Sequence, residues 1–189
     1  MSAPIISPSE ARTGFIYGLL AFAMWGFGPV YFKAVSSISP MEVLAHRVIW
    51  SVVLLVLLIT WQRQWRDLGR LLKDFRRVSW LCVTALLVAA NCLTFISAVS
   101  QGEIVASSLG YFIIPLFSVL LGVLFFSERL RPLQMIAILL AICGVANQVI
   151  TLGELPIIAL TLAVTFGLYG LIRKKIAVDP LLGLGVETA

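Results

Sequence analysis

Charge is what this sequence has least of. Lys, Arg, Asp and Glu make up 12% of its 189 residues, while hydrophobic residues make up 60%. A soluble domain carries about 25% charged and about 45–50% apolar residues, and the mean hydropathy here is +1.04. That balance excludes an ordinary soluble fold and predicts an integral membrane protein. Histidine is scarce too, with His46 the single one, and no acid lies mid-span in residues 1–172. The three cysteines, Cys82, Cys92 and Cys143, all sit inside apolar runs. They read as small core residues, not as a disulfide framework or metal site. There is no His/Cys/carboxylate cluster with metal spacing and no phosphate-cradling glycine loop. The sequence therefore predicts no catalytic residues, no metal and no cofactor, and a non-enzyme. The net charge of +5 is no nucleic-acid footprint, because the basic residues lie in the short connections between apolar runs.

What is there is a series of apolar runs. The first, Gly14 to Phe32, follows a Pro/Ser-rich polar tail (1–13) and is too long for a signal-peptide core. The others are Val43–Trp61, Val78–Val99, Ile104–Phe126, Leu133–Ile150 and Leu155–Ile172. Each has roughly the 17–25 residues that a helix needs to cross the hydrocarbon. A seventh run, Leu181–Val186, opens after Asp179-Pro180 and is too short to cross, which predicts a fragment or a truncated frame. The connection at 62–77 carries Arg63, Arg66, Arg70, Lys73, Arg76 and Arg77. Arg129 and Arg131 follow span 4, and Arg173, Lys174 and Lys175 follow span 6. Connections after spans 3 and 5 have no Lys or Arg, so the N-terminus is expected in the cytoplasm.

Ionisable residues enter an apolar run at Ser39 to Trp50, which carries Glu42, His46 and Arg47. Ser39-Pro40-Met41-Glu42 is a capping box with proline at the first helical position. Glu42 therefore has a capping role available. Arg47 either snorkels to the headgroups or, like His46, belongs to a transport pathway, since ionisable groups at membrane depth are costly. Asn91, mid-span, must find a hydrogen-bond partner in another helix or in a substrate. Span 4 carries Ser107, Gly110, Tyr111, Ser118 and Gly122 at helical spacing, with Pro115 expected to kink it. Span 6 has Thr161, Thr165 and Tyr169. Span 5, with Ala137, Ala141 and Gly144, reads as a packing helix. Spans 1, 2, 3, 4 and 6 thus have faces suited to a semi-polar cavity. Trp25 and Trp50 either stack a ligand or anchor the interface.

There is a hint of repetition. Ser39-Pro40 and Asp179-Pro180 open helices 140 residues apart. Five spans separate the equivalent points, so the second copy would be inverted. Both candidate first spans carry backbone-freeing residues: Gly26, Gly28 and Pro29 in one, Gly167 and Gly170 in the other. Paired interruptions of this kind point to a transport site or gate, the alternative being close packing.

The stretches Glu42-Val-Leu-Ala-His46-Arg47-Val-Ile-Trp50-Ser51, Ala106-Ser-Ser-Leu-Gly110-Tyr111-Phe-Ile-Ile-Pro115-Leu, Ser127-Glu128-Arg129-Leu, Leu139-Leu-Ala-Ile-Cys143-Gly144-Val and Tyr169-Gly-Leu-Ile-Arg173-Lys-Lys-Ile-Ala-Val resemble RarD-type permeases of the EamA family, in the drug/metabolite transporter superfamily. Ile114 departs from a polar Asn expected before Pro115-Leu116, and Cys92 from an expected Trp. The resemblance implies ten helices in two inverted halves of five, a bacterial inner-membrane location and movement of small metabolites or drugs by alternating access. In those terms, residues 14–150 are a first five-helix repeat and 151–189 the start of a second. The expected substrate contacts are Trp25, His46, Arg47, Asn91, Tyr111 and Tyr169. The expected gate or kink residues are Gly26, Gly28, Pro29 and Pro115. Besides the lipid bilayer, the expected partners are a small-molecule substrate and a second copy or partner permease. The rival expectation is a truncated, non-transporting protein that associates with such a permease through span 5.

Overall fold

The computed structural model describes residues 8–126, 130, 132–153 and 156–189. The helices are α1 (Pro8–Gly26), α2 (Gly28–Ala34), α3 (Pro40–Trp61), α4 (Trp65–Lys73), α5 (Phe75–Ser100), α6 (Ile104–Phe126), α7 (Pro132–Leu152), α8 (Ile157–Ile176) and α9 (Pro180–Thr188). Among the described residues there is no strand. Among the described residues six spans are long and apolar enough to cross a membrane, with α1 and α2 together forming the first, Arg12–Ala34. This is the polytopic all-α bundle that the composition predicts. In hydrocarbon each backbone N–H and C=O must be paired, and a helix pairs them within itself.

The helix starts follow the cap signals. Ser39 Oγ accepts the Glu42 backbone N–H at 3.3 Å, and Glu42 itself is exposed, so the capping reading of this segment holds. Asp179 Oδ1 accepts from the N–H groups of Leu181 and Leu182 at 3.0 and 3.1 Å. The two cap residues share a backbone conformation, φ −59°, ψ 136° at Ser39 and φ −49°, ψ 132° at Asp179.

Two segments differ from expectation. The polar tail was expected to reach residue 13, yet α1 begins at Pro8, consistent with the preference of proline for a first helical turn. The 62–77 connection contains α4. One side of it, with Leu68 and Leu71, packs onto Ile59, Leu81 and Leu182, while Arg66, Arg70 and Lys73 stay exposed. Burying that apolar stripe favours a helix over an extended loop. Residues 1–7, the Ser127–Arg129 part of the family-like motif, Arg131, Glu154 and Leu155 lie outside the described residues.

The bundle centres on α8, which packs against α6 and α5. Close approach depends on small residues. A Cβ on Gly110 would stand 3.0 Å from the Leu162 side chain, and one on Gly167 would overlap the Phe117 ring. Ser107 is 1% exposed, and its hydroxyl donates to Ile104 O at 2.9 Å. Thus Ser107, Gly110 and Gly122 of the α6 stripe are buried in packing, as is Gly167, while Ser118 is exposed. Ala137, Ala141 and Gly144 on α7 are exposed, as is most of that helix. Where α7 meets α6, a gap of about 410 Å³ remains, walled by Ala141, Gly144 and Phe112. The small-residue seam does not close onto a neighbour among the described residues.

Candidate functional site

Six helices converge on a cavity of about 530 Å³. Its wall takes Trp25 from α1, Gly28, Tyr31 and Phe32 from α2, and Arg47 from α3. Asn91, Cys92 and Phe95 come from α5, Tyr111 from α6, and Phe166 and Tyr169 from α8. The spans predicted to have cavity faces all contribute, and α7 does not. The aromatic rings form a connected wall of edge-on contacts. Trp25 meets Tyr111 at 5.7 Å and Phe166 at 6.2 Å between centroids, and Phe95 bridges Tyr111 at 5.6 Å and Phe32 at 5.8 Å. Such contacts set the rings against one another and leave an apolar, shaped wall.

Arg47 is the charged residue of this wall. Its Nη1 donates to Cys92 Sγ at 3.2 Å. Thiol sulfur is a weak acceptor, so the guanidinium keeps most of its donors for another group. Arg47 forms no ion pair among the described residues. Cys92 thus has a polar neighbour that its reading as an inert core residue did not foresee. Asn91 touches the cavity but is committed elsewhere. Its Nδ2 donates to Leu162 O at 3.0 Å and to Thr165 Oγ1 at 2.9 Å, tying α5 to α8. Of its two expected roles, helix linkage is the one that the geometry contains.

The break between α1 and α2 falls at Phe27, flanked by Gly26 and Gly28. Pro29 has no N–H, so the Trp25 carbonyl four residues back loses its intrahelical donor. Pro115, inside α6, does the same to the Tyr111 carbonyl. Each proline therefore frees a backbone acceptor on a residue whose ring lines the cavity. His46 is not in this wall. It lines an adjoining cavity of about 540 Å³ with Trp50, and Arg47, Tyr31 and Phe32 border both spaces. Five of the six predicted contact residues are brought together, and His46 is next door.

One group that the sequence reading passed over is Glu187 on α9. Its side chain is fully buried, and Oε1 stands 3.7 Å from Arg173 Nε. Thr84 Oγ1 donates to Oε1 at 2.7 Å, and the Tyr169 hydroxyl donates to Oε2 at 3.5 Å. Tyr169 thus has its ring in the cavity wall and its hydroxyl on a buried carboxylate. The guanidinium lies where a side chain on Gly183 would have to be. An acid closing an apolar run was the available signal, and it was hidden because that run looked too short to span.

No group of three or more His, Cys, Asp or Glu that could hold a metal occurs among the described residues. No solved structure matches the chain. The model of the EamA-like transporter family matches residues 12–148. An uncharacterized transporter of Vibrio cholerae is 48% identical over 179 residues, covering 95% of this chain and 59% of that protein. Protein RarD of Salmonella typhi is 48% identical over 179 residues, 95% of this chain and 61% of the relative. The chloramphenicol-sensitive protein RarD of Pseudomonas aeruginosa is 33% identical over 178 residues, 92% of this chain and 60% of the relative. The chain therefore spans about three fifths of the length of these relatives. It is a multi-pass membrane protein that belongs to the EamA-like transporter family, among its RarD-type members.

Proposed function

We propose that the chain forms the larger part of a secondary carrier for small organic anions with an apolar or aromatic body. The observation that carries this reading is the Arg47 guanidinium, weakly engaged by a thiol, in a cavity walled mostly by aromatic rings. A guanidinium in such surroundings favours a bidentate carboxylate or phosphate, and the rings favour a flat apolar body. Residues 14–150 act as the first repeat, and α8 and α9 open an inverted second one. Alternating access then rocks one half against the other around the cavity, with Gly26, Gly28, Pro29 and Pro115 absorbing the backbone change. The matching caps at Ser39 and Asp179 support this pairing. The basic connections support a cytoplasmic N-terminus in a bacterial inner membrane. His46, beside the cavity, is the proposed proton-coupling group.

The test uses the intact protein in detergent and paired probes: phenylacetate against phenylacetamide, and indole-3-acetate against its amide. The acids are expected to raise the melting temperature and the amides not to. Arg47→Gln is expected to abolish the effect, and Trp25→Ala to weaken it. Equal stabilisation by acid and amide, or an unchanged response in Arg47→Gln, would refute an anion site at Arg47.

A further inference from the structure

A further cavity lies at one end of the bundle, apart from the aromatic one. It measures about 710 Å³ and opens between the start of α5 and the ends of α6 and α8. Among the described residues, Arg76, Arg77 and Lys175 bring three cations to it, against one acid, Asp74. That acid is already occupied: Asp74 Oδ2 pairs with Arg77 Nε at 3.1 Å, and Oδ1 accepts the Arg77 N–H at 3.2 Å, capping α5. Arg76 and Lys175 are exposed and form no ion pair among the described residues. Behind the cations the wall is apolar, with Trp80, Phe125 and Ile172. Phe75, Phe126 and Ile176 are the terminal residues of their spans, so the cations sit at the water boundary and the apolar wall begins at acyl-chain depth. Trp80 is 42% exposed, at the level where tryptophans favour the headgroup region.

We infer that this cavity is a binding site for an anionic phospholipid, phosphatidylglycerol or cardiolipin in class. The phosphodiester would take the guanidinium of Arg76 and the ammonium of Lys175, and one acyl chain would run along Trp80 and Phe125. Charge complementarity selects the headgroup: an excess of cations beside an apolar groove between spans is what holds acidic lipid at a membrane face. The apolar wall selects a lipid over free phosphate, which would gain nothing from it. Occupancy would fasten α5 to α8, two of the helices that wall the aromatic cavity, so the lipid acts as a structural ligand at the bundle's end. The assignment stands independently of what the carrier moves.

The experiment titrates the delipidated intact protein in neutral detergent with phosphatidylglycerol, cardiolipin, phosphatidylcholine or inorganic phosphate, and follows its melting temperature. A ligand that binds only the folded state at a hundredfold excess over its Kd stabilises by about 2.7 kcal/mol, which reads as a rise of several degrees. The two acidic lipids are expected to give that rise, and phosphatidylcholine and phosphate are not. The Arg76→Gln/Lys175→Gln double variant is expected to lose it. Arg66→Gln/Lys73→Gln, which removes two exposed cations of α4, is expected to keep it. An equal rise with phosphatidylcholine, an equal rise with phosphate, or an undiminished rise in the Arg76/Lys175 variant would each overturn the site. Loss of the rise in the α4 variant as well would overturn it too, by showing general surface charge at work.

Discussion

Removing Arg173 should damage this protein more than removing its partner Glu187, and removing both should damage it least. Glu187 is fully buried and Arg173 is 15% exposed at the side chain, with 3.7 Å between Nε and Oε1. A buried pair recovers its desolvation cost only through good geometry and further hydrogen bonds. Breaking it by deleting one partner costs about 3–5 kcal/mol, whereas replacing both with apolar groups is often neutral. Here the geometry is incomplete. Among the described residues, Arg173 Nη1 is buried without a hydrogen-bond partner, and Nη2 reaches Pro180 O at a long 3.4 Å. In Glu187→Gln the amide still meets Thr84, and Arg173, at the end of α8, can extend its head toward water. In Arg173→Met the carboxylate has no such escape. The expected loss is therefore about 3–5 kcal/mol for Arg173→Met, about half that for Glu187→Gln, and within about 2 kcal/mol of wild type for Arg173→Met/Glu187→Met. The assay is reversible unfolding of the intact protein from mild micelles with increasing dodecyl sulfate, followed by circular dichroism. A double-mutant cycle with Arg173→Met and Glu187→Met as the singles gives the coupling. A coupling energy under about 0.5 kcal/mol would mean that the two residues act independently, and the pair as described would be wrong.

Other expectations follow from single contacts. Asn91→Ala removes two donations from α5 to α8 and should cost about 1 kcal/mol in the same assay, given that interhelical side-chain bonds in membranes average about 0.6 kcal/mol. Gly167→Ala places a methyl into the Phe117 ring and should cost about 1–3 kcal/mol as overpacking, with Phe117→Leu restoring much of it. Gly170→Ala meets open space and should be close to silent. Ser39→Ala and Asp179→Ala each remove a helix cap and should each cost about 0.5–2 kcal/mol, measured by unfolding. Equal losses at the two sites would fit their matching backbone geometry.

Much of the architecture is legible in the residues because lipid imposes a one-dimensional rule. An apolar run of about 20 residues has few options but to cross as a helix, and Ser39-Pro40 and Asp179-Pro180 mark helix starts by local hydrogen bonding alone. The choice of spans that line the cavity was legible for a similar reason: polar residues at helical spacing have to face protein or solvent space. What no local rule contains is which face meets which helix. Ser107, Gly110 and Tyr111 belong to one polar stripe, yet the first two are buried between α6 and α8 while Tyr111 lines the cavity. Their assignment depends on where Leu162 and Ala159 arrive from more than forty residues away. Asn91 was ambiguous until Thr165 and the Leu162 carbonyl came within 3.0 Å. Glu187 was passed over because its partners, Thr84, Tyr169 and Arg173, lie on other helices. Sequence periodicity fixes which residues share a face of a helix; the packing of helix on helix, set by side-chain volume and by where buried polar groups find partners, decides what that face does.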